Sequence, residues 1–434
     1  MNRDIIQDKA LELLSNYKMV ILEFCTSLGK TKVAIDAIDI YEGKWLLVLN
    51  ETNHIDNWKL EFKKWDKEYL LDRVTIVLYA SLHKHKGLSY KGIVYDEFHH
   101  CFSKNRLNIS KTIIREKSIM LSATLDDAHL KIAGMKNPEA RFDYNIEELN
   151  INVINETIVL YSVFLNQAFH YKILPKPNIY IIPLELNDTV PTIKYTIGKG
   201  SIPITVNYED RWKYLKSKEL KEKYKITILC TEQERYNDIA QYYESLKASY
   251  IKSEIEVSKN LYATPDKLNR LRESLKMAKN RWLFQGNIRK FYIASLKTEV
   301  AKKLIDSLGD RRFICFAASI KQIKELGGKN AVHSKLKNPQ KIINNFNEKK
   351  INSLYAVGML QEGNNLPDIE AGVILQLSNT VRYITQILGR ILRSKSSPDQ
   401  FIFYIKNTRD AEYLNKALEG INKELIKTLN IEEI

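Results

Sequence analysis

The sequence predicts an α/β protein made of two parallel-sheet lobes, with a mainly helical insertion in the second. Three observations predict it. Short apolar runs alternate with helical patterns over the first part of the chain, the signature of strands buried on both faces by crossover helices. The same alternation returns in the last third. Between about Asn187 and Gly286 it is lost. With 434 residues, 44% of them hydrophobic, the chain is long enough for about three units with buried cores.

In order along the chain, Met19–Phe24, Trp45–Leu49, Val74–Leu78, 93–95 and 118–121 are expected strands, with helices over 32–40 and 57–65. The first lobe is set at residues 1–140. The second is expected in two pieces, 141–186 and 287–434, with strands at 179–184, Phe313–Phe316, Ser353–Val357, 372–375 and 401–405. The insertion spans 187–286. Within it, 226–229 reads as a strand. Thr231-Glu232-Gln233-Glu234 is a capping box, in which hydroxyl and carboxylate each accept a backbone N–H that the helix leaves unpaired; this helix runs towards Tyr243. Thr264-Pro265 opens another helix, because proline is tolerated where the first N–H has no partner anyway. Its body carries Lys267, Arg270, Arg272, Lys276, Lys279 and Arg281, followed by Trp282 and Phe284. That pattern suits a third grip on a polyanion, or a solvated helix with an aromatic base.

Lys and Arg number 67 against 52 Asp and Glu, a net charge of +15 that favours a polyanionic partner. No apolar stretch approaches the roughly 20 residues of a membrane span, and residues 1–14 show no signal-peptide pattern, so we expect no membrane partner and a cytoplasmic location, bacterial or in a phage-infected host. Cys25, Cys101, Cys230 and Cys315 are far apart, which suits a reducing compartment. His99-His100-Cys101 has no second ligand cluster to complete a zinc site.

The strongest local signal is Cys25-Thr26-Ser27-Leu28-Gly29-Lys30-Thr31, between an apolar strand and a helical pattern. In a P-loop the backbone N–H groups of Thr26, Ser27, Leu28 and Gly29, with the helix N-terminus, would cradle phosphate. Lys30 would reach the outer phosphates and the Thr31 hydroxyl would hold Mg²⁺. Phe24 stands where the strict pattern has its first glycine. Asp96-Glu97-Phe98-His99 follows a strand. Asp96 would bind Mg²⁺ through water, and Glu97 would polarise the attacking water.

The order of motifs resembles superfamily 2 helicases of the DExH type. Arg3 and Gln7 look like that family's arginine-x-x-glutamine element, in which the glutamine senses adenine. Ser122-Ala123-Thr124 matches its SAT motif, so Ser122 and Thr124 are expected to couple hydrolysis to nucleic-acid grip. Residues 358–367 (GMLQEGNNLP) look like motif V, with Gly363 at the nucleotide and Asn365 in coupling. Phe313 to Ala318 with 331–334 resembles the motif IV region. Residues 386–393 (QILGRILR) match QxxGRxxR, motif VI, at every fixed position. The resemblance covers about residues 1–186 and 287–434. It implies two RecA-like lobes, ATP and Mg²⁺ as cofactors, and catalytic roles for Gln386, Arg390 and Arg393. Two arginines three apart on a helix share one face. An arginine on the γ-phosphate is worth ~10³–10⁵ in rate. Lying on the other lobe from Lys30, they reach the phosphate only when the lobes close.

Nucleic acid is expected across the face away from ATP, with motif Ia at Asn50-Glu51-Thr52, Thr52 as a contact, and 79–82 as the next element. Such contacts go mainly to phosphate, so they give little sequence preference. The pattern resembles helicases of DNA recombination and restriction, including the phage UvsW type. DNA is therefore favoured as partner. The alternatives are an RNA helicase, the motor subunit of a restriction-type complex, and a nucleic-acid clamp with a degenerate motor. Accessory subunits are left open.

Overall fold

The computed structural model describes residues 2–358, 366–378, 387–389, 391–392, 397–419 and 421–434. Three sheets organise them. The first is built from β1 (Met19–Phe24), β2 (Trp45–Leu49), β3 (Val74–Leu78), β4 (Ser89–Tyr95), β5 (Ile114–Ser122), β6 (Asn150–Asn155) and β7 (Ile158–Val163). Their spatial order is β3-β2-β4-β5-β1-β7-β6, parallel except for the β6–β7 pair. All five side chains of β2 are buried, as a central parallel strand requires. Gly92 of β4 lies where a side chain would run into the Trp45 indole, so tryptophan on one strand fixes glycine on its neighbour.

Here one expectation is corrected. The sequence pattern places residues 150–163 in the second lobe, yet they extend the first sheet, with β7 parallel to β1 from Met19↔Ile158 to Phe24↔Val163. A short turn explains the hairpin: the Asn155 side-chain oxygen accepts the backbone N–H groups of Thr157 and Ile158, at 2.9 and 3.0 Å. That reverses the chain and lays β7 beside β1.

The second sheet comprises β8 (Asn178–Leu184), β12 (Phe313–Phe316), β13 (Ala331–His333), β14 (Ser353–Val357), β15 (Ala371–Ile374), β16 (Asp399–Ile405) and β17 (Ile426–Thr428), in the order β13-β14-β12-β15-β16-β8-β17, all parallel. The chain leaves this sheet after β8 and returns at β12. These two largely parallel sheets are the two lobes that the sequence predicts.

Between β8 and β12 lie a small sheet and a long helical hairpin. β9 (Ile193–Ile197), β10 (Ile202–Asn207) and β11 (Tyr224–Cys230) pair in the order β10-β11-β9, where the sequence predicts a single strand. The Thr231 cap forms as the sequence predicts: its hydroxyl accepts Glu234 N–H at 3.1 Å, and the Glu234 carboxylate accepts Thr231 N–H at 2.9 Å. The helix it opens, Glu232–Lys259, runs well past Tyr243. Its partner, Pro265–Leu296, has 32 residues and so extends about 48 Å.

Candidate nucleotide site between the lobes

The site begins with an extended strand that stops abruptly. Phe24 ends β1 fully buried, its ring edge-on to Tyr161 with centroids 4.9 Å apart. The side chain therefore sits beneath the loop, and glycine is not needed there. Beyond it Ser27 and Gly29 take left-handed backbone, φ +70° and +84°. This turns the chain into the helix Lys30–Ile40, whose N-terminus has no side-chain cap. Its leading N–H groups are thus left for an anion. The Lys30 ammonium reaches back over the loop and donates to the Phe24 carbonyl at 2.7 Å. Thr31 is half-buried at the first helical turn, and the buried Thr26 hydroxyl makes no hydrogen bond. Burial pushes the Cys25 thiol up to about 12, although Lys30 lowers it, so it stays protonated.

Gln7, from the helix Arg3–Asn16, is buried and donates to the Leu28 carbonyl at 3.0 Å. It also fills the space a side chain at Gly29 would need. Its position therefore braces the loop from below.

Asp96 and Glu97 follow β4 on the same edge of the sheet. The Trp58 indole donates to Asp96 Oδ2 at 2.8 Å, and the Glu97 N–H donates to Oδ1 at 3.1 Å. Burial raises the Asp96 carboxyl first and the Glu97 charge raises it further, while Trp58, His54 and Lys30 pull it back. Glu97 adopts φ +47°, a costly conformation for a residue with a Cβ and one that concentrates at functional sites. Its carboxylate lies 3.3 Å from His99 Nδ1. The same nitrogen lies 3.4 Å from Ser122 Oγ, which donates to the Thr124 carbonyl at 2.8 Å. The DEFH turn and the SAT segment are thus joined by one histidine ring. Thr52 is exposed at the start of the helix Asn53–Lys64, the helix that also carries His54 and Trp58. Sequence reasoning missed Trp58 and His54, which sit one helical turn apart; nothing in their spacing announces a carboxylate partner.

From the second lobe, Gly389 reaches the loop. Ser27 Oγ donates to the Gly389 carbonyl at 3.4 Å, and a Cβ on Gly389 would overlap the Thr26 side chain. Gly363, Asn365, Gln386, Arg390 and Arg393 lie outside the described residues. The described residues hold no group of three or more His, Cys, Asp or Glu placed to bind a metal by themselves, and no helix among them is long and apolar enough to cross a membrane.

Residues 296–395 match the helicase conserved C-terminal domain family. No curated protein matches the sequence. Among solved structures, the helicase domain of Hef from Pyrococcus furiosus aligns at 13% identity with a TM-score of 0.45, over 96% of this chain and 99% of that one. The matched segment begins at the end of the hairpin and covers the second lobe from β12 to the 386–393 motif. The 386–393 motif falls inside the matched segment, and the DEFH turn lies on the other lobe.

Proposed function

We propose that this protein is an ATP-driven DNA translocase or helicase in which nucleotide is held between the lobes. The observation that carries the reading is the convergence of Lys30, Asp96 and Glu97 with Gly389, whose neighbour in sequence is Arg390. An uncapped helix N-terminus and a lysine suit a triphosphate, and the half-buried Asp96 carboxylate, close enough to Lys30 to feel its charge, suits Mg²⁺, which is commonly held by one or two carboxylates plus phosphate oxygens. ATP supplies the phosphoryl group. The chain's own parts are Lys30 and the loop N–H groups for binding, Asp96 and Thr31 for the metal, Glu97 for the attacking water, and Arg390 with Arg393 for developing charge. Gln386, Gly363 and Asn365 act from the same lobe. Ser122 and Thr124, tied to Glu97 through His99, pass the nucleotide state to the nucleic-acid face.

We place the first lobe through β7, the second from β8 and again from β12, and the insertion between them. The hairpin is a further grip: no residue from 240 to 284 is buried, and residues 265–284 carry six Lys or Arg against two acids. Trp282 is not part of that surface, because its ring stacks on Tyr250 at 5.2 Å.

The test is steady-state ATP turnover with single-stranded DNA, forked DNA, duplex and RNA. DNA-stimulated turnover that collapses at least about a hundredfold in Lys30→Ala is expected. Stimulation by RNA alone would favour an RNA helicase, and unchanged turnover in Lys30→Ala would remove the motor.

A further inference from the structure

Glu23 is a single acid in an otherwise apolar strand, MVILEF, and it is 1% exposed. Its two carboxylate oxygens are fully used. Oε1 accepts the Leu125 N–H at 2.8 Å. Oε2 accepts the Ser162 hydroxyl at 2.9 Å and Arg141 Nε at 3.0 Å. Arg141, 2% exposed, then turns Nη2 to the Leu125 carbonyl at 2.8 Å and Nη1 to the Pro138 carbonyl at 2.6 Å. Both backbone groups of Leu125, the residue that follows the SAT segment, are therefore held by this one ion pair. The residue after Glu23 is Phe24, whose carbonyl takes Lys30. Glu23 is also registered opposite Ser122 across β1 and β5.

We propose that the Glu23–Arg141 pair is a positioning element that fixes the SAT segment to the P-loop strand, so that a change at the nucleotide is delivered to the grip rather than dissipated in a loose loop. The inference rests on the motor reading. A fully buried ion pair is a poor route to stability, since apolar residues of similar volume usually do as well. What this pair supplies and apolar residues cannot is a fixed place for two backbone groups. His99 holds the front of the segment at Ser122, and Glu23 with Arg141 holds its back at Leu125. Burial raises the Glu23 carboxyl, and Arg141 beside it is the chief influence in the other direction.

The experiment compares full-length wild type, Glu23→Gln, Arg141→Met and the double variant Glu23→Leu/Arg141→Met, with Lys30→Ala as control. Turnover is measured against ATP, and single-stranded DNA affinity with and without a non-hydrolysable ATP analogue. In the variants, stimulated kcat should fall on the order of 10- to 100-fold with KM for ATP within about twofold, and the analogue should no longer shift DNA affinity. The apolar double variant separates this from folding: it should unfold like wild type yet remain uncoupled. A second readout uses wild type alone. The analogue should slow amide exchange in residues 119–130 together with 19–31. Coupling retained in Glu23→Gln, or protection confined to 19–31, would overturn the positioning role. Unchanged turnover in Lys30→Ala would instead overturn the motor reading beneath it.

Discussion

At the scale of single residues, two positions carry more than their size suggests. Gly389 meets the P-loop with no room for a methyl group, because Thr26 occupies the place of its missing side chain. Gly389→Ala should therefore hold the lobes apart. Turnover should fall about tenfold or more with the melting temperature nearly unchanged, read by ATPase assay beside thermal unfolding. Glu97 is the second. Its charge helps raise the buried Asp96 carboxyl, so the folded protein holds that proton more tightly than the unfolded chain does. Such a group costs stability above the ordinary carboxylate range, and the cost fades as pH falls through it. Glu97→Gln should accordingly abolish turnover yet stabilise the fold by roughly 1 kcal/mol at neutral pH. The gain should shrink as pH falls through the range in which the Asp96 carboxyl takes up its proton; thermal melts across pH check this.

At the scale of elements, the C-terminal end of the long hairpin is pinned to the second sheet by one buried lysine. Lys297, fully buried, contacts Asp410 at 2.6 Å and donates to the Leu375 and Phe403 carbonyls, each at 2.8 Å. Removing the ammonium leaves two backbone oxygens without their donor and a buried carboxylate with its charge unpaired, held by the Ile405 N–H at 3.1 Å. Lys297→Met should cost about 3–5 kcal/mol by denaturant unfolding. Adding Asp410→Asn should return part of it, because the uncompensated charge is then gone.

At the scale of the whole molecule, no residue of the hairpin from 240 to 284 is buried, and Glu244 near its base pairs with Arg409 of the second lobe at 3.5 Å. Replacing 243–283 with a tight turn should leave the lobes folded. It should weaken DNA binding and flatten the salt dependence of affinity. Each phosphate that the shortened protein no longer neutralises should reduce the slope of log K against log salt by about 0.7–0.9. Titrations at several salt concentrations decide it. An unchanged slope would return the hairpin to a purely structural role.

Much of this was legible in the chain itself. The strands Met19–Phe24, Trp45–Leu49, Phe313–Phe316 and Ser353–Val357 fall where continuous apolar runs put them, because a strand buried on both faces leaves no alternation to misread. The loop after Met19–Phe24 and the turn after Ser89–Tyr95 fall where the apolar runs end, because a buried strand can stop only where polar residues reach the sheet's edge. The β6–β7 hairpin, the β9 and β10 strands and the Glu23–Arg141 pair were not legible. A half-exposed edge strand has a weak pattern, and a buried charge gives no sign of a partner 118 residues away. By itself the sequence determined the buried parallel strands and the loops that follow them. Only the tertiary structure decided which sheet a strand joins and which charges meet, because both depend on contacts between segments that local propensity does not encode.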